Sequence, residues 1–484
     1  MISPLRRLPP TAWVTLQHIA EQALWLLLFA IQAPLLGPRP FGLISIVMVF
    51  VGFCEYVVAS TATEVLISVR DIEPAHYSTA TSTCLAIAIL LGAVIGLGAH
   101  QLAIVFGDPA LTPVARVMAL LPLLSALSCA PTAAIKRDMH FQATAVRGLT
   151  SISVAGSISL ILTLCGAGVW ALVAQALLQR LVAAVILWRI SPVPFQLAWS
   201  GRHFHGMRRF ASRLAMSCIM NWSSGQLPRF ILGLKLGLTD LGLFSMAMRL
   251  SDILTQVAIE PKTTVARVYL RRFADDPAGI QAAARTMFRQ LGFFCFPLCI
   301  GGAVMIPTLF HAWLDSRWLG AIVPSQMLLL TAIPTTTFYC STAILLALNR
   351  QGTEVVIATT QTLSAALVGA AFSPFGLIAV SLALALRPWV LMPLPIALMR
   401  RKAHLAPGLV LGAQAMPLLV AVLTAAAIWL ADFQLRGHLG NVALLLTSGF
   451  AGMCAYVALL YLAMPDFINN LARRALVAGR GTPG

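Results

Sequence analysis

The chain has 484 residues, of which 59% are hydrophobic and only 10% charged, with a formal net charge of +17 and a mean hydropathy of +0.87. A water-soluble protein carries about a quarter charged residues, so water is excluded as the main solvent. A membrane β-barrel is excluded as well, because its strands would be about ten residues long and strictly alternating, whereas the runs here are longer and apolar all round.

Spanning a bilayer as a helix takes roughly 20 mostly apolar residues, and the chain offers about 14 such segments. In order they are 12–36, 41–66, 78–106, 111–134, 143–166, 168–190, 209–234, 241–262, 286–313, 322–348, 354–374, 376–399, 407–431 and 441–464. The expected fold is therefore an all-α integral membrane protein with short connections and no soluble domain. The first segment is too long for the apolar part of a signal peptide and no A-x-A-like site follows it, so it is expected to stay as helix one.

Landmarks recur along the chain. Leu36-Gly37…Phe41-Gly42 between segments one and two is echoed by Leu236-Gly237…Leu241-Gly242 between seven and eight. Gly168 opens segment six as Gly376 opens segment twelve, and Pro113 begins segment four as Pro324 begins segment ten. The parse is a six-helix lobe over 1–200, a second over 201–402, and two further helices in 403–484. An even number of helices per lobe makes the lobes parallel, related by a pseudo-twofold axis along the membrane normal, with the working site expected where they meet.

The basic residues follow the same topology. With the N-terminus inside, roughly 24 of the 33 Lys and Arg fall on inner segments and about 4 on outer ones, which is the positive-inside bias. Both termini are then cytoplasmic, and anionic lipid accounts for further attraction. No nucleic-acid motif accompanies the basic clusters, so a nucleic-acid partner is not expected. The nine Cys lie almost all in apolar spans without a C-x-x-C. Cys295 and Cys299, one turn apart, read as small core hydrophobes rather than metal ligands.

Two inner stretches stand out. Residues 191–208, with Pro192, Pro194 and Gly201, read as a solvated hinge between the lobes; His203 and His205 without a nearby acid or Cys make a poor metal pair, and no metal site is expected. Residues 263–285 read as an interfacial helix, with Asp276 as the N-cap before Pro277.

An ionisable side chain at the bilayer centre costs at least ~2.5 kcal/mol, so each one inside a span is informative. On helix eight Ser245, Arg249, Asp252 and Gln256 follow an i, i+4, i+7, i+11 pattern and form a polar stripe. It is either an internal Arg249–Asp252 pair or a cavity wall offering a cation to an anionic substrate. Helix seven carries Asn221 beside Ser217, Ser224, Gly225 and Pro228, with Arg229 next to the proline. This is either ordinary close packing or a flexing point. Arg387 lies mid-span in helix twelve beside an expected break at Pro388, and Arg180 lies in helix six. Helix one carries His18, Glu21 and Gln22, and helix two carries Glu55. A membrane carboxylate is either a proton or Na⁺ relay or the counter-ion of an Arg. The candidate substrate residues are thus Arg249, Arg229, Arg387, Arg180, Gln256 and Asn221. The candidate coupling or counter-charge residues are Glu21, Glu55, Asp252 and His18. Arginine stays charged when desolvated and grips phosphate oxygens in bidentate fashion, which favours a phosphate- or diphosphate-bearing substrate over a cationic drug.

With the repeated Leu-Gly…Phe/Leu-Gly turn, Arg137-x-Met139-x-Phe141 after helix four, and Gly166-x-Gly168-Val169-Trp170-Ala171-Leu172-Val173 into helix six, the chain resembles the Wzx-type polysaccharide repeat-unit flippases. These belong to the multidrug/oligosaccharidyl-lipid/polysaccharide (MOP) exporter superfamily. The resemblance implies the MOP transporter fold in a bacterial cytoplasmic (inner) membrane. It also implies a lipid-linked oligosaccharide on undecaprenyl diphosphate as substrate, moved from the inner to the outer leaflet. Membrane lipids, a polysaccharide polymerase and export machinery are the partners it suggests. No cofactor is implied, and H⁺ or Na⁺ coupling stays open. The family brings no fixed set of site residues.

Two relatives of the same superfamily remain as alternatives, a cation-coupled multidrug antiporter and a lipid II flippase. An enzyme of polysaccharide assembly is the alternative from another class. A polymerase would need a large outer loop, and a glycosyltransferase a nucleotide-sugar domain with acidic metal ligands. No nucleophile–base pair or phosphate-cradling Gly loop is present, so no catalytic residues are expected.

Overall fold

A computed structural model describes residues 10–69, 71–138, 141–258, 270, 276–348 and 350–463. The side chains of His18, Ser217, Asn221, Ser224 and Gln256 lie outside the described set, as does most of the expected interfacial helix at 263–285. Among the described residues there are helices and turns, and the one β-bridge joins Arg436 to Leu439.

A backbone in hydrocarbon must satisfy its own hydrogen bonds, which is what makes every long apolar run a helix. In chain order the first eleven α-helices are α1 Pro10–Leu36, α2 Pro38–Glu55, α3 Thr61–Ser68, α4 Pro74–Phe106, α5 Leu111–Met118, α6 Leu121–Leu127, α7 Cys129–Arg137, α8 Phe141–Leu164, α9 Val169–Ile190, α10 Gly201–Leu236 and α11 Leu238–Ala258. They are followed, among the described residues, by α12 Pro277–Trp313, α13 Ile322–Leu329, α14 Ala332–Ala347, α15 Gln351–Phe372, α16 Gly376–Leu391, α17 Pro393–Ala403, α18 Pro407–Leu435 and α19 Asn441–Ala463. Their outer faces are apolar and open, with Leu97, Val390 and Leu462 at 80%, 76% and 77% exposure. In water such faces would be untenable. The protein is a multi-pass membrane protein.

Among the described residues, ten helical stretches are long and apolar enough to cross a membrane, or eleven if the pair Ser316–Leu329 and Ala332–Ala347, bent by 47°, is one span. The expectation of about 14 spans is not reached for two physical reasons. α10 and α11 form over 36 and 21 residues but are too polar to qualify, and the expected eleventh and twelfth segments, on either side of Gly376, fall inside one apolar stretch, Val355–Ala403.

The chain divides into two compact units, Met1–Ser245 with Thr362–Leu377, and Met246–Gln361 with Ile378–Gly484. In the first unit α1 packs on α8, α8 on α9, α4 on α5 and α6, α3 on α7, and α10 on α2. Leu66, Ala130 and Ala133, all fully buried, centre its apolar cluster. In the second unit α12 packs along α18 and α18 along α19, so the two extra C-terminal helices share one core with α12. Small residues allow the approach: a Cβ on Gly452 would stand 2.4 Å from Ile428, and one on Gly292 2.8 Å from Pro417.

The repeated turn has a physical cause. Gly37 (φ 72°, ψ 176°) and Gly237 (φ 87°, ψ 176°) precede α2 and α11 in matching left-handed conformations that a side chain would strain. Gly42 and Gly242 then meet reciprocally: a Cβ on Gly42 would lie 1.8 Å from the Leu238 carbonyl oxygen, and one on Gly242 2.0 Å from that of Pro38. Two like segments exchanging the same contact is the signature of a twofold relation.

Several expectations are corrected. Segment four is not one helix but α5, α6 and α7, and its first break repeats in segment ten. Leu120 N–H donates to Val117 O and Thr331 N–H to Leu328 O, both 3.3 Å, the i→i+3 bonds of a tightened turn. The solvated hinge covers only 191–200; His203 and His205 ride the start of α10. Neither Pro228 nor Pro388 ends its helix, and the break after Arg387 comes at Met392. Asp276 caps α12 as expected, its carboxylate accepting from Ala278 N–H at 3.0 Å. Arg137, from the Arg-x-Met-x-Phe motif, donates to the carbonyls of Leu66, Ile67 and Val69 at 3.2, 3.1 and 2.5 Å. Its guanidinium thus closes the orphan C-terminal carbonyls of α3.

Candidate functional site

Within the first unit two of the candidate carboxylates each have an arginine beside them. Glu55 ends α2 where the helix widens into a π-turn, Tyr56–Ser60, a distortion frequent at functional positions. Both oxygens of its carboxylate accept from Arg180 of α9, Oε1 from Nε and Oε2 from Nη2, each at 3.1 Å. Ser125 of α6 donates to Oε1 at 2.5 Å. The side chains are 17% and 27% exposed, so this is a largely desolvated bidentate pair.

Glu21 of α1 is half-buried and accepts from Gln17 Nε2 at 2.8 Å. Its carboxylate rests on Gly148 of α8, where a Cβ would fall 1.8 Å from Oε1. The preceding residue, Arg147, interacts electrostatically with Glu21 and keeps its Nε buried without a hydrogen-bond acceptor. Sequence reasoning missed Arg147, Gln17 and Ser125. The signal for Arg147 was an arginine inside an apolar segment followed by a glycine on a helix face.

On α10, Arg229 is half-buried and donates to Gln226 Oε1 at 3.3 Å. The stripe on α11 exists as a helical face: Arg249 and Asp252 are half-buried, and neither lacks a partner. In the second unit Arg387 of α16 is half-buried and donates to the Gln361 carbonyl of α15. That bond ties its guanidinium to α15.

The arrangement is one of guanidinium and carboxylate groups fixed by hydrogen bonds at membrane depth. In the first unit these groups compensate one another's charge. Glu55 is brought together there with Arg180, and Glu21 with Arg147.

Comparison with known proteins bears on the same helices. The family described as "Polysaccharide biosynthesis protein" matches residues 31–323. The chain belongs to this family. It is 27% identical over 247 residues to the succinoglycan biosynthesis transport protein ExoT of Rhizobium meliloti (strain 1021), an alignment covering 51% of this chain and 50% of that protein. The chain thus spans about half the length of this curated relative. Among solved structures it resembles the lipid II flippase MurJ, with a TM-score of 0.76 at 14% identity over 95% of this chain and 99% of that one. It also resembles a multidrug resistance MATE family transporter of the MOP superfamily, with a TM-score of 0.61 at 13% identity over 79% and 94%. At these identities the likeness establishes the fold, which is that of the MOP transporters. These relatives are named as transporters or flippases and none as an enzyme.

Proposed function

We propose that the protein is a flippase that carries undecaprenyl-diphosphate-linked oligosaccharide repeat units from the inner to the outer leaflet of a bacterial cytoplasmic membrane, for export of a surface polysaccharide. Membership of the polysaccharide biosynthesis family supports the export role, and the MOP fold supports alternating access. The observation that carries the substrate class is the intramembrane charge. Arg147, Arg180, Arg229, Arg249 and Arg387 stand inside helices against Glu21, Glu55 and Asp252. A surplus of guanidinium suits a diphosphate, which it grips in bidentate fashion, and repels a cationic drug. The polyprenyl tail stays in lipid while sugar and diphosphate pass.

In this reading residues 1–200 and 201–402 are the moving lobes, 403–484 adds two helices, and both termini are cytoplasmic. Glu21 and Glu55 act as counter-charges, and coupling to H⁺ or Na⁺ through either requires its pair to open. The likeness to MurJ lends a fold, so lipid II is not favoured over a repeat unit on that ground.

The test is made in cells lacking the protein. Lipid-linked oligosaccharides are labelled on spheroplasts with an impermeant sugar-modifying probe. Repeat units trapped on the inner leaflet with no surface polymer support the proposal; normal export with new sensitivity to cationic drugs overturns it.

A further inference from the structure

Where residues 191–200 deliver the chain into α10, three donors from two distant stretches meet. Glu73 is the N-cap of α4, His76 is the third residue of α4 and His203 the third residue of α10. One donor atom of each lies within 4.8 Å of the other two. His203 Nε2 is 3.2 Å from Glu73 Oε2, and the two imidazole rings stand edge to face with centroids 4.4 Å apart.

The surroundings hold this geometry. His203 Nδ1 is 2.7 Å from Ser200 Oγ; Nε2–H donates to Glu73 Oε2 without a cation, and a cation in place of that proton leaves Nδ1–H to donate to Ser200. Ser200 N–H donates to Thr79 Oγ1 and Ser82 Oγ to the Ala198 carbonyl, both at 3.2 Å, strapping the connector to α4. His205 takes no part, since its Nδ1 lies 2.9 Å from the Gly201 carbonyl. The sequence reading pairs His203 with His205, whereas the structure sets His203 beside His76 of α4 and Glu73, its N-cap.

Zinc bonds of 2.0–2.1 Å in a tetrahedron put neighbouring donors about 3.3 Å apart, close to the 3.2 Å between His203 and Glu73. Two imidazoles and a carboxylate match the borderline donor preference of that ion and leave one position for water. A hydrogen bond to the far nitrogen of a ligating histidine, as Ser200 provides, is the usual orienting contact. A simple ion pair would need one histidine; here a second ring is drawn in beside the first. His76 Nδ1 accepts from the Glu73 backbone N–H at 3.1 Å, and His76 exchanges that bond or turns its ring when it ligates.

We infer that Glu73, His76 and His203 form a binding site for a divalent cation of the zinc class, which fastens the start of α10 to the start of α4. The site is independent of the transport reading and adds a metal ligand to a chain whose sequence suggested none.

The experiment uses the full-length protein, purified in detergent, stripped with a chelator and titrated with Co²⁺, then with Zn²⁺ in competition. The expected result is one equivalent of Co²⁺ with visible d–d bands and no near-ultraviolet thiolate band. Affinity falls about tenfold or more in Glu73→Gln and His203→Ala and is unchanged in His205→Ala. Should His203→Ala fail to fold, Glu73→Gln, which keeps the side-chain shape, decides alone. Equal binding by Glu73→Gln and the parent, a thiolate band from the cysteines, or no binding would each overturn the site.

Discussion

The turn around Gly37 and Gly42 and the turn around Gly237 and Gly242 share backbone angles and touch reciprocally, yet the helices they launch differ in charge. After Arg39 in its first turn, α2 runs apolar to Glu55 at its end, where Arg180 and Ser125 meet it. α11 instead places Arg249 and Asp252 on one face within its length. The repeat therefore persists where a backbone contact admits only glycine, and it lapses where charges are set. Packing preserves the scaffold of the two copies, while the charges set them apart.

That contrast can be broken at either end. Gly42→Val has the largest expected effect, because the new Cβ meets a backbone carbonyl that cannot yield. We expect a loss of about 3 kcal/mol or more and little folded protein after extraction, measured beside Gly98→Val, whose site has nothing within 4 Å. Equal losses in both would mean the glycine contact is not the constraint. Arg249→Ala is expected to abolish export while membrane levels stay near normal; persistent export would reduce the α11 stripe to packing. Arg180→Ala strands the Glu55 carboxylate and should cost about 3 kcal/mol in thermal unfolding, most of it recovered when Glu55→Gln is added. A double variant as unstable as the single one would argue against the pair. Arg39→Ala has the smallest effect, under about 1 kcal/mol, because Arg39 is 61% exposed in its bond to Asp108.

Helix positions were legible from apolar length alone, and the twofold repeat from glycine and proline landmarks, because those residues act locally. The breaks at Ala119–Leu120 and Leu330–Thr331 were not, although Pro122 and Pro334 follow them, because proline inside a membrane helix does not by itself end it, as Pro228 and Pro388 show. Charged residues could be found but not paired: Glu55 meets Arg180 across 125 positions, and such a partner is set by tertiary packing. The same reason hid the contact between His203 and Glu73.

Movement of a diphosphate-linked sugar across the bilayer, as proposed, can be followed directly. The most direct measurement reconstitutes the purified protein in vesicles with a polyprenyl-diphosphate-linked oligosaccharide and adds an impermeant sugar-modifying reagent outside. The account predicts that the whole pool becomes modified with the parent protein, and only the outer-leaflet share with Arg249→Ala or empty vesicles. Modification no greater with the parent protein than in empty vesicles would contradict it.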